Sequence, residues 1–279
     1  MPHGRPGRQQ GDPRSSAIDT TIPSVARAYD AALGGKDDYE IDRQLLARLD
    51  AAVPEVASIA LTNRKFLIRA VRYLAVNAGV QQFLDRGSGL PAAGNTHQVA
   101  QRLDSDAVVV YVDNDPVVLA HGRALLEEND NTAFIAADIF DPPQVLDHEV
   151  VRSTIDFTRP VALMQVAPLQ HHPGPDPRTA VDVMRRYVEA LPSGSYVVFS
   201  HFFDPEDENS EVARRVQGIL NSGINRGHFR TRDEITPMLD GLQLLDPGLV
   251  VADEWWPDGP RTTLPAAGHC IVAALGVKP

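Results

Sequence analysis

Phe83-Leu84-Asp85-Arg86-Gly87-Ser88-Gly89-Leu90 and, further along, Val108-Val109-Val110-Tyr111-Val112-Asp113-Asn114-Asp115 decide the fold of this chain. Each is a short apolar run suited to a buried parallel strand; the first breaks into a glycine turn and the second ends on an acid. Together they read as a nucleoside-binding βαβ unit. Glycines let a ligand approach the backbone closely, and a carboxylate at the tip of the second strand can accept hydrogen bonds from ribose hydroxyls. The contacts expected from this unit are Gly87, Ser88 and Gly89, with Asp113 and Asn114 at the sugar.

The turn Gly87-Ser88-Gly89-Leu90-Pro91-Ala92 fits the dinucleotide pattern G-x-G-x-x-G/A, so the literal motif allows a nicotinamide or flavin cofactor. Charge argues otherwise. In a dinucleotide site the turn and the helix start cradle a pyrophosphate, and Asp85, two residues before Gly87, would set an anion against it. A ligand with an ammonium and a sulfonium and no phosphate would be attracted by that carboxylate. S-adenosyl-L-methionine is such a ligand, and Asp85 joins its expected contacts. Pro91 also disfavours a helix that opens its amides directly onto a phosphate, although proline is tolerated in a first turn.

The chain has 279 residues and a net charge of −11, enough length for one large α/β domain with additions. The acidic balance argues against a broad nucleic-acid face, which needs clustered Lys and Arg. One cysteine, Cys270, excludes an internal disulfide and a cysteine-rich zinc site, and its apolar setting reads as a core thiol. Residues 1–16 are rich in Gly, Pro, Arg and Gln, without a secretory pattern, and are expected to form a disordered tail. No apolar run is long enough to cross a bilayer, so a cytoplasmic protein with a small-molecule partner is expected.

Helices are expected at 24–33 and 41–52, followed by an amphipathic stretch carrying Phe66, Ala70, Tyr73 and Leu74, so that residues 17–80 form a helical N-terminal cap. From residue 81 to 279 strands and helices alternate as in a doubly wound fold. Strands are predicted at 81–85, 107–112, 132–136, 160–166, 195–200, 242–251 and 269–277. Helices are predicted near 94–103, 116–128, 143–152, 177–190, 208–221 and 232–240. Trp255 and Trp256 fall in a loop and read more readily as packing than as an acceptor pocket.

The strand ends should converge at one sheet edge. Asp138, with Ile139 beside it, is the candidate for the adenine edge, since an aspartate can accept from an exocyclic amine. Gly34-Gly35-Lys36 fails as a phosphate loop, because the P-loop pattern would need glycine where Asp30 stands and a hydroxyl where Asp37 stands. A lid is the alternative, in which Gly34 and Gly35 form a hinge and Tyr29, Lys36 and Tyr39 close over the cofactor, with Gly35 among its expected contacts. His201, just past Val197-Val198-Phe199-Ser200, is the candidate base.

At this point the chain resembles the S-adenosyl methyltransferase family of actinomycetes, long catalogued as a domain of unknown function. The marks are Ala26-Arg27-Ala28-Tyr29-Asp30, Leu33-Gly34-Gly35-Lys36-Asp37-Asp38-Tyr39, Asn63-Arg64-Lys65-Phe66-Leu67, Gln82-Phe83-Leu84-Asp85, Asn95-Thr96-His97, Tyr111-Val112-Asp113-Asn114-Asp115-Pro116 and Gly194-Ser195-Tyr196. The resemblance implies an α/β, Rossmann-like seven-stranded methyltransferase sheet with helices on both faces, its last strand antiparallel, and S-adenosyl-L-methionine as cofactor. The family leaves the methyl acceptor unassigned. Two positions depart from its pattern: Arg86 replaces a small or apolar residue and would alter the cofactor's fit if its guanidinium points inward, and Gln170 stands where a histidine is expected. His171 and His172 follow at once, but adjacent side chains diverge, so at most one faces the site. A dinucleotide oxidoreductase and a non-catalytic cofactor-binding module stay open as alternatives.

Overall fold

The computed structural model describes residues 18–126, 129–224, 227–260 and 263–279; the expected tail at 1–16 lies outside the described residues. The strands are β1 (Gln82–Arg86), β2 (Val108–Asp113), β3 (Thr132–Ala136), β4 (Ala162–Val166), β5 (Tyr196–Phe202), β6 (Gln243–Leu244), β7 (Val250–Val251) and β8 (Ile271–Val277). They form one sheet in the order β3-β2-β1-β4-β5-β8-β6, with β7 also paired to β8. Strands β1 to β5 run parallel, and β8 is antiparallel to β5.

The helices are α1 (Val25–Ala32), α2 (Glu40–Ala52), α3 (Ser58–Val76), α4 (Thr96–Leu103), α5 (Pro116–Leu126), α6 (Pro142–Leu146), α7 (Glu149–Thr154), α8 (Pro177–Ala190), α9 (Ser210–Gly223) and α10 (Arg232–Ile235). Because strand side chains alternate, each strand serves two cores. Phe83, Val109, Met164 and Val198 pack with Phe66, Ala70 and Leu74 of α3 on one face. Leu84, Val110, Leu163, Val197 and Phe199 pack with Met184, Tyr187 and Val188 of α8 on the other. The same parity sends Asp85 toward α3 and Arg86 toward α8.

Three expected elements break, each at a residue that explains the break. The helix expected at 143–152 divides into α6 and α7, where the His148 ring accepts from the Val150 amide and restarts the helix. The strand expected at 242–251 becomes β6 and β7, so that eight strands fill the seven positions: Pro247 has no amide for a ladder, and Gly248 turns at φ +83°. The helix expected at 232–240 is one α-turn continued by a 3₁₀ turn, with Pro237 at the junction.

Helices α1 and α2 are joined by a buried ion pair. Arg27 Nε lies 2.8 Å from Asp42 Oδ2, and the Asp42 carboxylate also accepts from the amides of Ser24 and Tyr39, so its oxygens are well satisfied. Helix α3 packs directly on the sheet, and Trp255 seals its other flank with rings 5.4 Å from Phe66. Arg69 of α3 donates to the carbonyls of Trp255 and Ala252. The tryptophan pair is thus packing, with Trp255 in the core and Trp256 stacked on its outer side. Cys270 is buried just before β8, and burial pushes its thiol up to about 12, far from a reactive thiolate.

Candidate functional site

Strand β1 lies between β2 and β4, where the chain winds outward in both directions, and open parallel sheets leave a crevice at the carboxyl ends of such strands. A cavity of about 620 Å³ occupies that crevice, roofed by α1 to α3 and closed on one side by α9. Tyr29, Asp85, Gly87, Ser88, Gly89, Asp113, Asn114 and Ile139 all line it.

The glycine turn is built by backbone strain that only glycine carries without cost. Gly87 and Gly89 have φ of +69° and +64°, and the amides of Gly87 and Ser88 both reach the Val112 carbonyl at the end of β2. Asp113 completes the cradle. Its Oδ2 accepts from the Gly89 amide at 3.0 Å, while Oδ1 accepts from Asn114 and Asp115, and burial raises its carboxyl despite these bonds. The start of α5 is capped by Asp115, whose Oδ1 takes the Val117 amide at 2.8 Å, so Asp113 is spared the capping duty.

Asp85 sits beneath this turn, only 5% exposed, with one hydrogen bond from Thr96 Oγ1 at 2.6 Å. Desolvation outweighs that bond and pushes its carboxyl from 3.8 up to about 6. Ser88 Oγ, in the glycine turn, is buried without a hydrogen-bond partner. An orphaned hydroxyl, an under-compensated carboxylate and a turn with room for backbone approach fit a cationic nucleoside ligand and disfavour a pyrophosphate.

Two residues on α3 that sequence reading left without a role shape the same wall. Arg64 binds the carbonyls of Ala92 and Ala93 and Asn95 Oδ1, clamping the loop after the glycine turn. Asn63 donates to the Tyr29 hydroxyl at 3.1 Å and accepts from Ser200 Oγ at 2.6 Å, tying α1 to β5. The signal was present: Asn63 falls in the helical period of Ile59, Ala60, Phe66 and Ala70, where a core face should be apolar. Ala167, after β4, also lines the cavity and holds φ +63°, the strained backbone that clusters at functional sites.

Four expected site residues do not line it. His201 lies on the opposite face of the sheet, fully buried beside Phe199, with Nδ1 2.7 Å from the Phe202 carbonyl oxygen. Burial lowers its imidazole to about 3, so it is a neutral core histidine and not a base facing the cavity. Gly35 and Lys36 are exposed on a turn wrapped around Asp30: the Asp37 amide donates to its carboxylate, and a Cβ on Gly35 would fall 2.1 Å from its Oδ1. The glycine is there for Asp30. Asp138 turns back on its own loop, accepting from the Phe140 amide at 2.9 Å, and leaves Ile139 and Phe140 on the cavity wall.

Strand parity places the first departure, and the 3₁₀ turn after β4 carries the second. The Arg86 guanidinium points away from the cavity, 3.4 Å from the centre of the Tyr187 ring, and desolvation lowers it to about 10. Arg86 and Tyr187 both donate to the Ile139 carbonyl, at 3.3 and 3.0 Å, and so brace the wall from behind. Gln170 lines the cavity, and among the described histidines His171 alone does so, its ring edge-on to Phe202 at 5.6 Å.

A model of the S-adenosyl methyltransferase family matches residues 11–279. The chain belongs to that family. Its cofactor is therefore S-adenosyl-L-methionine, as the glycine turn and Asp85 suggested. A Thermobifida fusca YX protein, provisionally described as a methyltransferase, has a crystal structure similar to this chain at 41% identity and a TM-score of 0.88, covering 94% of this chain and 97% of that one. A DUF574 family protein from Streptomyces avermitilis MA-4680 is similar at 36% identity and a TM-score of 0.85, covering 94% and 100%. No curated protein matches the chain. Among the described residues of this methyltransferase-family chain, no cluster of His, Cys, Asp and Glu could hold a metal, and no helix is long and apolar enough to cross a membrane.

Proposed function

We propose that this protein is an active methyltransferase of the cytoplasm that transfers a methyl group to an oxygen or nitrogen of a small molecule. The observation that carries the reading is that one cavity is lined both by the glycine turn with Asp85 and Asp113 and by His171 with the apolar residues of α1 to α3. When bound, S-adenosylmethionine supplies a methyl group on a cationic sulfur, which leaves as a neutral thioether once an acceptor lone pair takes the methyl.

Gly87, Ser88 and Gly89 would approach the amino-acid part and sugar, and Asp113 would accept from a ribose hydroxyl at Oδ2, where its three amide bonds leave one lone-pair site open. Asp85 would face the cationic end. Ile139 and Phe140 would cover the adenine. Tyr29, held by Asn63, would fix the cap over the site and exclude water, while His171 is the side chain placed to take the acceptor's proton. A net charge of −11 and the apolar cap wall support a small-molecule acceptor over nucleic acid.

Calorimetry with S-adenosylmethionine, S-adenosylhomocysteine, NAD and NADP tests the cofactor side; tighter binding of a nicotinamide cofactor would sink it. Asp113→Ala should weaken S-adenosylhomocysteine binding about tenfold to a hundredfold with the fold intact, as loss of hydrogen bonds to a charged group implies. A folded variant with unchanged affinity would make Asp113 a turn residue. Production of S-adenosylhomocysteine in a cell extract supplied with the cofactor separates an enzyme from a binding module, which would make none.

A further inference from the structure

We propose that the methyl acceptor is an uncharged, largely apolar molecule carrying the hydroxyl or amine to be methylated, seated against the wall that α2 and α9 form together. The inference rests on the cavity being a methyl-transfer site and names the class of acceptor. Leu46 and Leu49 of α2, Val216 and Leu220 of α9, Phe202 at the end of β5 and Ile271 at the start of β8 form one continuous lining. No residue that α2, α9 or β8 contributes to it is charged.

The charged lining residues, Arg64, Asp85, Asp113 and Asp115, belong to α3, the end of β1, and the tip of β2 with the loop after it. The Arg64 guanidinium is held by Ala92, Ala93 and Asn95 beside the glycine turn, where its charge acts on Asp85. An acceptor bearing a carboxylate or ammonium would have to shed its hydration against the leucine wall with no counter-charge, a cost that a neutral molecule of the same shape escapes. At the edge of this wall stand His171, packed against Phe202, and Gln170, whose Oε1 has no hydrogen-bond partner. A neutral O–H or N–H suits both.

The test uses the full chain with saturating S-adenosylhomocysteine near neutral pH and three probes of one shape: 2-naphthol, the anion 2-naphthoate and the cation 2-(aminomethyl)naphthalene. By calorimetry, 2-naphthol should bind about tenfold or more tighter than either ion. Leu46→Asp, at a half-buried position, should weaken 2-naphthol about tenfold or more while S-adenosylhomocysteine affinity stays within about twofold. If that variant does not fold, Leu46→Ser carries the same comparison. Equal binding of the ions, no binding of 2-naphthol, or indifference of 2-naphthol to the Leu46 variants would overturn the proposal and leave the cofactor reading standing. Failure of the parent protein to bind S-adenosylhomocysteine would instead overturn the functional reading and the proposal with it.

Discussion

Asp85→Asn should make the ligand-free protein more stable above pH 6 while weakening S-adenosylmethionine binding about a hundredfold. Both effects come from one buried carboxylate. Its folded-state pKa is raised, so the stability it contributes is fully present below its unfolded value of 3.8 and is lost as pH rises through about 6. The whole shift corresponds to about 3 kcal/mol, an upper bound for the gain from removing the charge. Asparagine keeps the shape and an oxygen for Thr96 Oγ1. Urea unfolding of parent and variant should therefore nearly coincide at pH 4 and diverge up to pH 6, with the difference constant beyond.

A cationic ligand reverses the balance, because it adds a close counter-charge where Arg64 offsets burial only in part. Binding to the parent should release protons near pH 6, and affinity should fall by up to about tenfold per pH unit below that, whereas the variant should show neither effect. Calorimetry in buffers of different ionisation enthalpy measures the proton release. An affinity equal to the parent's at pH 8 would mean that Asp85 does not face the cation.

Gly87→Ala should cost about 2–4 kcal/mol of stability and abolish measurable cofactor binding. At φ +69° an L side chain is strained, and the new Cβ would stand 2.8 Å from Pro168 Cβ and 3.2 Å from Ile139 Cδ1, so two cavity walls would have to part. Gly89→Ala is the matched comparison. At φ +64° it carries similar strain, but nothing lies within 4 Å of its Cβ, so it should cost only about 1–2 kcal/mol. Its methyl would project into space left for the ligand, and binding should fall with the fold largely kept. Equal destabilisation of the two variants in urea would show that Pro168 and Ile139 do not crowd Gly87.

The elements that could be read from the chain were those whose signal is local. Apolar runs ending at Asp85 and Asp113 marked strands because β-strands bury both faces in a parallel sheet, and the glycines marked a turn because only they take its backbone angles freely. That local pattern, with the family resemblance, was enough for fold and cofactor, and it brought eight of the twelve expected site residues onto one cavity. The misplaced residues were those whose direction depends on register and neighbours. His201 is one residue from Phe202, yet the pleat sends one ring into the core and the other to the cavity. Gly35 and Lys36 looked like a lid until Asp30 supplied another reason for the glycine.

By itself the sequence determined the order of strands and helices, the phosphate-hostile glycine turn and the family, because propensity, periodicity and charge spacing act over short stretches of chain. Tertiary structure alone decided that Arg86 braces Ile139 from behind and that Asn63 locks Tyr29 to β5. It alone decided that leucines from α2 meet valine and leucine from α9 in one cavity wall. These are contacts between segments far apart in the chain. Their energies depend on distance and desolvation in the packed molecule, which no local pattern encodes.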